Sequence, residues 1–249
     1  MRIAALYDIH ANLPALEAVL AEVRQAKADR ILIGGDVIPG PLPRETLDCL
    51  TGLDIPCEFV YGNGEVAVLD VCAGRIPVSV PEQYRSIIHW NAQQLTPEHQ
   101  NTFASWPKTV RIDVPGVSEV LFCHATPRDE NEIFTRLTPE ERVAEMFADC
   151  GAALVVCGHT HMQFDRMIGT TRVVNAGSVG MPFGKAGADW LLLGSDVEFR
   201  HTEYDLEAAA ARIRASSYPE AEQFATNSIL KPPPEAQMLE LFTRASLKR

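Results

Sequence analysis

The chain has 249 residues, 46% of them hydrophobic and 22% charged, with a formal net charge of −11. That length suits one large domain or two small ones, able to bury roughly 70 to 75% of the unfolded surface without staples. No apolar stretch approaches the ~20 residues of a membrane span, and the acidic balance, lacking any basic patch or tail, excludes an extended nucleic-acid or anionic-lipid surface.

The first eight residues meet Asp8 too early for the apolar centre of a signal peptide, which predicts a cytoplasmic protein. Cys49, Cys57, Cys72, Cys123, Cys150 and Cys157 form no CxxC pair, and so read as free thiols in a reducing compartment.

Short apolar runs at residues 3–6, 31–33, 59–60, 120–122 and 154–156 each end in a polar or glycine cluster, which predicts core strands with loops at their ends. Between the first two, Leu13, Leu16, Val19, Leu20 and Val23 recur at helical spacing after Asn12, a natural N-cap, and Pro14. This strand-helix-strand unit predicts a parallel pair with a right-handed crossover. Helices follow at residues 81–95, 96–106 and 138–150, with Thr138 and Glu141 at capping-box spacing. From Phe164 onward short alternating segments separated by turns predict antiparallel hairpins, so the sheets are expected to be mixed. A helical tail after Asp205 is broken at Pro232–Pro234 and resumes as an amphipathic segment, 235–247, able to pack on its own domain or to make a homo-oligomer.

The strand ends carry Asp8-Ile9-His10, Gly35-Asp36, Gly62-Asn63-Gly64-Glu65, His124, and Gly158-His159-Thr160-His161. The crevice beyond the carboxyl ends of parallel strands is where sites are built, so these turns are expected to converge. Taken singly, each residue is an ordinary turn, cap or core residue. Seven metal-capable side chains at five successive strand ends point instead to a metal centre. Two carboxylates, four imidazoles and one amide suit Mn, Fe, Zn, Co or Ni better than the all-oxygen shells of Ca or Mg. Seven groups exceed what one tetrahedral zinc needs, so two ions are expected. A structural Cys/His zinc site fails on geometry, because Cys123 and His124 are neighbours on a strand and point to opposite faces.

The ordered pattern D-x-H, G-D, G-N-x-E, H and G-H-x-H resembles the calcineurin-like metallophosphoesterases, from Met1 to about Asp205. Asn12-Leu13-Pro14 and Asn175-Ala176-Gly177-Ser178 are similar to the compact bacterial and archaeal branch of small phosphoesterases. The resemblance implies an α/β fold, a β-sandwich of two mixed sheets flanked by helices in four layers. It implies one domain over residues 1–249, with helical insertions at about 66–110 and 126–150 over the site and a helical tail at about 206–249. It also implies that Asp8, His10 and His161 hold a first ion, that Asn63, His124 and His159 hold a second, and that Asp36 bridges them. A hydroxide shared by the ions would then attack phosphorus, with Asp36, Asn63 and His124 at the reacting centre. Two divalent transition-metal ions are expected as cofactors, manganese favoured, and a phosphoester small molecule or nucleotide as substrate.

One position departs from the family pattern. Many members carry a phosphate-facing histidine after the asparagine, where this chain has Gly64. Loss of that acid favours a phosphodiesterase, since a positioned acid contributes ~10² to 10⁴-fold when the leaving group is poor. The alternatives are a phosphomonoesterase, a hydrolase of nucleotide anhydrides such as dinucleoside polyphosphates, and a non-catalytic metal-binding scaffold. Arg128 and Asn12 are the candidate substrate contacts, each with a competing role, a loop salt bridge for Arg128 and a helix cap for Asn12. Glu65 is expected to orient a ligand or to sit in a helix first turn, and Asn175 and Ser178 to make a turn or support the histidines. His89-Trp90 is expected to pack in the core.

Overall fold

Alternation along β1 (Ile3–Leu6) divides the molecule into layers. Ala4 and Leu6 face one apolar cluster, while Ile3, Ala5 and the following Tyr7 face another. The computed structural model describes residues 1–248 and, at Ser118, the backbone alone.

Two five-stranded sheets pack face to face. The first runs β10 (Val197–Thr202), β9 (Ala188–Leu193), β1, β2 (Arg30–Ile33), β3 (Cys57–Phe59). The second runs β4 (Thr109–Val114), β5 (Ser118–Cys123), β6 (Leu154–Cys157), β8 (Thr171–Asn175), β7 (Phe164–Ile168). β1, β2 and β3 are mutually parallel, as are β5, β6 and β8, while β9–β10 and β7–β8 are antiparallel hairpins, so both sheets are mixed. Tyr7, fully buried between the sheets, donates its hydroxyl to Val156 O at 2.9 Å and ties β1 to β6.

The outer face of the first sheet carries α1 (Leu13–Gln25), α2 (Pro43–Thr51), α3 (Asn63–Cys72), α4 (Arg85–Gln94), α5 (Pro97–Ser105) and α7 (Leu206–Arg214), which share one core cluster. α1 begins where the sequence predicts, with Asn12 Oδ1 accepting from Ala15 N. The other sheet's outer face is covered by α6 (Glu140–Phe147) through Val143, Met146 and Phe147. Segment 126–150 was expected to lie over the strand-end turns. Its helix instead forms the fourth layer, because its apolar stripe matches the outward face of β5, β6 and β8.

The Thr138–Glu141 capping box does not form. α6 begins at Glu140, and Thr138 Oγ1 accepts from Thr135 N and pairs with Ser246 of α9 (Glu235–Ser246), a tertiary bond that outcompetes the cap. His89 is exposed on α4 rather than packed in the core, whereas Trp90 beside it lies edge-on to Tyr218. Among the described residues all six cysteines are free, with Cys123, Cys150 and Cys157 buried and the other three half-buried. No described helix is long and apolar enough to cross a membrane.

Candidate metal centre

Parallel strands deliver their carboxyl ends to one edge, and here both sheets contribute to the same one. β1 leads to Asp8 and His10, β2 to Asp36, β3 to Asn63, β5 to His124, and β6 to His159 and His161. Asp8, His10 and His161 place one ligand atom each within 4.8 Å of one another, and so do Asp8, Asp36 and His124. Asn63 Oδ1 lies 3.0 Å from His124 Nε2, and the His159 ring packs edge-on to His124 with centroids 5.1 Å apart. All seven side chains named from the strand ends therefore meet. The carboxylate of Asp36 stands between two imidazoles, with Oδ2 3.8 Å from His10 Nε2 and Oδ1 3.6 Å from His124 Nε2.

The hydrogen bonds test whether this cluster fits a cation. His10 Nδ1 faces Pro39 O at 3.2 Å, His124 Nδ1 faces Gly34 O at 2.9 Å, and His161 Nδ1 faces Met181 O at 3.0 Å. A carbonyl oxygen only accepts, so Nδ1 carries the proton in each neutral ring and Nε2 presents a lone pair. Yet His10 Nε2 and His161 Nε2 are 3.1 Å apart, and His124 Nε2 faces an amide oxygen. Asp8 Oδ1, fully buried, accepts no hydrogen bond of good geometry among the described residues and is ringed by His161, His124 and His10 nitrogens at 3.3, 3.9 and 4.0 Å. Acceptors that converge with no donor between them fit divalent cations.

Charge within the cluster follows the same arrangement. Burial alone would raise the Asp8 pKa, but His161, His124 and His10 outweigh it and hold the carboxyl well below the usual range. Burial would lower His124 and His161, and Asp36 and Asp8 override it, so both are raised. His10 moves the other way, pushed down by burial and by His161.

The backbone is bent to this purpose. Asp8, His10, Asp36, His159 and His161 all have left-handed backbone, with φ of 52°, 47°, 48°, 68° and 58°. Non-glycine residues seldom adopt it, and such outliers cluster where side chains must be aimed at a site. Gly62 serves close approach rather than a sharp turn, since its φ is −107° and a Cβ there would lie 2.2 Å from Asp36 Oδ1.

Gly64 also has a packing reason. Its N–H donates to Asp36 Oδ1 at 2.6 Å, and a Cβ would meet Ile38 O at 2.2 Å and Pro39 Cδ at 2.7 Å. The 38–40 loop thus occupies the space that a side chain at position 64 would need. That loop is held by fully buried Asn91 of α4, whose Oδ1 accepts from Gly40 N, and it supplies the Pro39 carbonyl that orients His10. Three histidines remain. His89 is exposed, His99 pairs with Thr96 and Asp48, and His201 with Asp189 and Ala186.

Glu65 has a larger part than a helix first turn. Fully buried, it accepts from Gly62 N at 2.7 Å, Asp36 N at 2.9 Å and Ile38 N at 3.1 Å, clamping the loops that carry Asp36 and Asn63. Burial and the Asp36 carboxylate push its pKa up to about 7. Asn175 donates to Gly158 O and Thr160 Oγ1, and Ser178 Oγ donates to Asp8 O, so both brace the loops that carry histidines and Asp8.

Both candidate substrate contacts are otherwise engaged. Asn12 is fully buried, with Oδ1 capping α1 and Nδ2 donating to Gly180 O. Arg128 is exposed and forks onto Glu132, with a further bond to Glu145 O. Both side chains are thus committed to contacts within the protein.

Beside His10 opens a cleft of about 450 Å³. One wall is Ile87 and Ile88 of α4, and the other comes from residues 218–238 of the C-terminal tail. Sequence patterning did not identify this wall, because a helical tail carries no signal of what it packs beside.

A sequence model of the calcineurin-like phosphoesterase superfamily domain matches residues 1–196. The chain is 28% identical to the uncharacterized protein MJ0912 of Methanocaldococcus jannaschii, over 88% of this chain and 94% of that one. A metallophosphoesterase from Sphaerobacter thermophilus is structurally similar, with a TM-score of 0.69 and 28% identity over 91% of this chain and 97% of the other. The hypothetical protein PH1004 from Pyrococcus horikoshii OT3 shares the fold, with a TM-score of 0.79 and 18% identity over 93% and 99% of the two chains.

Proposed function

The chain belongs to the calcineurin-like phosphoesterase superfamily, and on that premise we propose that it hydrolyses phosphodiesters at a centre of two divalent transition-metal ions. In this reading Asp8, His10 and His161 hold one ion, Asn63, His124 and His159 hold the other, and Asp36 reaches both. The observation that carries the proposal is the convergence of acceptors, with His10 Nε2 facing His161 Nε2 at 3.1 Å and His124 Nε2 facing Asn63 Oδ1 at 3.0 Å. When bound, two such ions supply Lewis acidity that yields a nucleophile from water near neutral pH and offsets phosphate charge. The mixed nitrogen and oxygen donors suit Mn, Fe, Zn, Ni or Co, and manganese is the ion chosen for the test.

The protein's own contribution is to fix and to limit. Three imidazoles are held by carbonyls at Nδ1, and Glu65 and Ser178 hold the loops of Asp36, Asn63 and Asp8. Only two of the seven ligands are carboxylates, so two divalent ions leave a net charge of about +2 to attract an anion into an acidic protein. A diester preference is supported at Gly64, where loop 38–40 leaves no room for an imidazole that would pair with the second charge of a monoester or protonate a poor leaving group.

The test is metal analysis of the purified protein, then hydrolysis of bis(4-nitrophenyl) phosphate beside 4-nitrophenyl phosphate with Mn²⁺. Faster turnover of the diester is expected, abolished by chelation. Preference for the monoester overturns the diester assignment, and a metal-loaded protein that cleaves neither overturns the esterase reading in favour of an anhydride hydrolase or a scaffold.

A further inference from the structure

The geometry points to the cleft beside His10 as the site for a neutral, aromatic ester arm of the substrate. This rests on the hydrolase reading above and narrows it. The cleft adjoins the cluster directly, because its inner end is His10 together with Pro39 and Met181, the residues whose carbonyls orient His10 and His161. A phosphate held at the cluster therefore turns one of its ester substituents toward the cleft.

What the cleft accepts follows from its walls. Tyr84, Ile88, Phe183, Tyr218, Phe224 and Met238 make it apolar and aromatic. The rings have fixed partners, with Phe183 stacked on His161 at 5.5 Å between centroids and Tyr218 edge-on to Trp90 at 5.3 Å. The only charged side chain among the lining residues is Glu220. No lysine or arginine is there to receive a second phosphate, and the carboxylate repels one. Dinucleoside polyphosphates, whose arm carries further phosphates, are thus poor fits, whereas an uncharged ring meets matching apolar surface. At about 450 Å³ the cleft has room for one ring system and a linker.

Residues 218–238 of the wall lie beyond the 1–196 matched by the family model. Specificity here therefore draws on this chain's tail as well as on Tyr84, Ile88 and Phe183 within the matched domain.

Asn227→Trp, an exposed lining position, narrows the cleft with little disturbance of the core. With Mn²⁺ bound, it is expected to raise KM for bis(4-nitrophenyl) phosphate by about tenfold or more while inhibition by inorganic phosphate, which needs only the cluster, stays within about twofold. A readout free of turnover is saturation-transfer NMR of 4-nitrobenzyl alcohol with the metal-free protein, expected positive for the wild type and lost in the variant. Met238→Trp narrows the cleft from another position on the tail wall and replaces Asn227→Trp if that variant does not fold. An unchanged KM, or equal NMR transfer to wild type and variant, overturns the assignment. If the loaded wild type cleaves no ester, the esterase reading fails, and the NMR comparison still decides the cleft.

Discussion

His10 Nε2 and His161 Nε2 lie 3.1 Å apart, on rings whose Nδ1 atoms both face backbone carbonyls. Two neutral imidazoles held this way present lone pair to lone pair, an arrangement relieved by a proton or by a metal ion.

Protons and metal ions therefore compete, and the pH dependence of stability is expected to change sign with metal. In the chelated protein His124, His161 and Glu65 have raised pKa values, Glu65 up to about 7. Their stabilisation is present below the ordinary pKa values and is lost as pH rises through the raised ones. His10, lowered, opposes this, and Asp8 stays ionised throughout. Between about pH 6 and about pH 8 the chelated protein should lose Tm, while the Mn²⁺-loaded protein should gain it because ligands shed their protons. Parallel melting curves with and without metal would count against a cation at this cluster.

Glu65→Gln replaces an oxygen that accepts with an NH₂ that cannot, leaving at least one of the Asp36, Gly62 and Ile38 N–H groups unpaired in a buried site. The expected loss is about 1–3 kcal/mol of unfolding free energy in chelator. Metal affinity should fall about 10- to 100-fold, because the clamp positions the loops of Asp36 and Asn63. Titration with Mn²⁺ after a urea series separates the two effects, and an unchanged affinity would show that the clamp is structural only.

Gly64→His tests why the family's histidine is missing. The new Cβ would meet the Ile38 carbonyl oxygen at 2.2 Å, so loop 38–40 must move and carry the Pro39–His10 bond with it. A stability loss of about 1–3 kcal/mol and a fall in metal content are expected rather than a gain in monoester hydrolysis. A stable variant with raised monoesterase activity would mean that the loop yields freely.

His159→Gly and His159→Ala remove the same imidazole but differ in backbone freedom at φ 68°. In chelator the glycine variant should be the more stable by about 1 kcal/mol, because only it enters the left-handed region without strain. Both should lose metal. Equal urea midpoints for the two would argue that the strain at this position is negligible.

The candidate centre was legible as a set because a strand end is a local feature. A run of apolar residues stops, a polar side chain follows, and parallel pairing brings successive ends to one edge. That is why Asp8, Asp36, Asn63, His124 and the two histidines after β6 are recognisable together although up to 153 positions separate Asp8 and His161. The mixed character of the sheets and the α1 cap were likewise readable, from apolar runs followed by alternating hairpin segments and from Asn12 before an apolar helix, whereas the pairing of two sheets was implied by the family resemblance.

What each side chain touches was decided only by tertiary packing. Arg128 is four residues past His124 but turns to Glu132, and Asn12 is consumed by the Ala15 and Gly180 backbone. Thr138 gives up a helix cap for Ser246, more than 100 residues away. Glu65 became a clamp, and Gly64 an obligation of the Ile38–Pro39 loop, through contacts that span 25 to 29 residues and leave no local periodicity. The sequence by itself determined where chemistry-bearing side chains leave the strands, since strand geometry is a short-range property. Which of them remain free to bind, and that the C-terminal tail walls the cleft beside His10, were decided by the packing of distant segments.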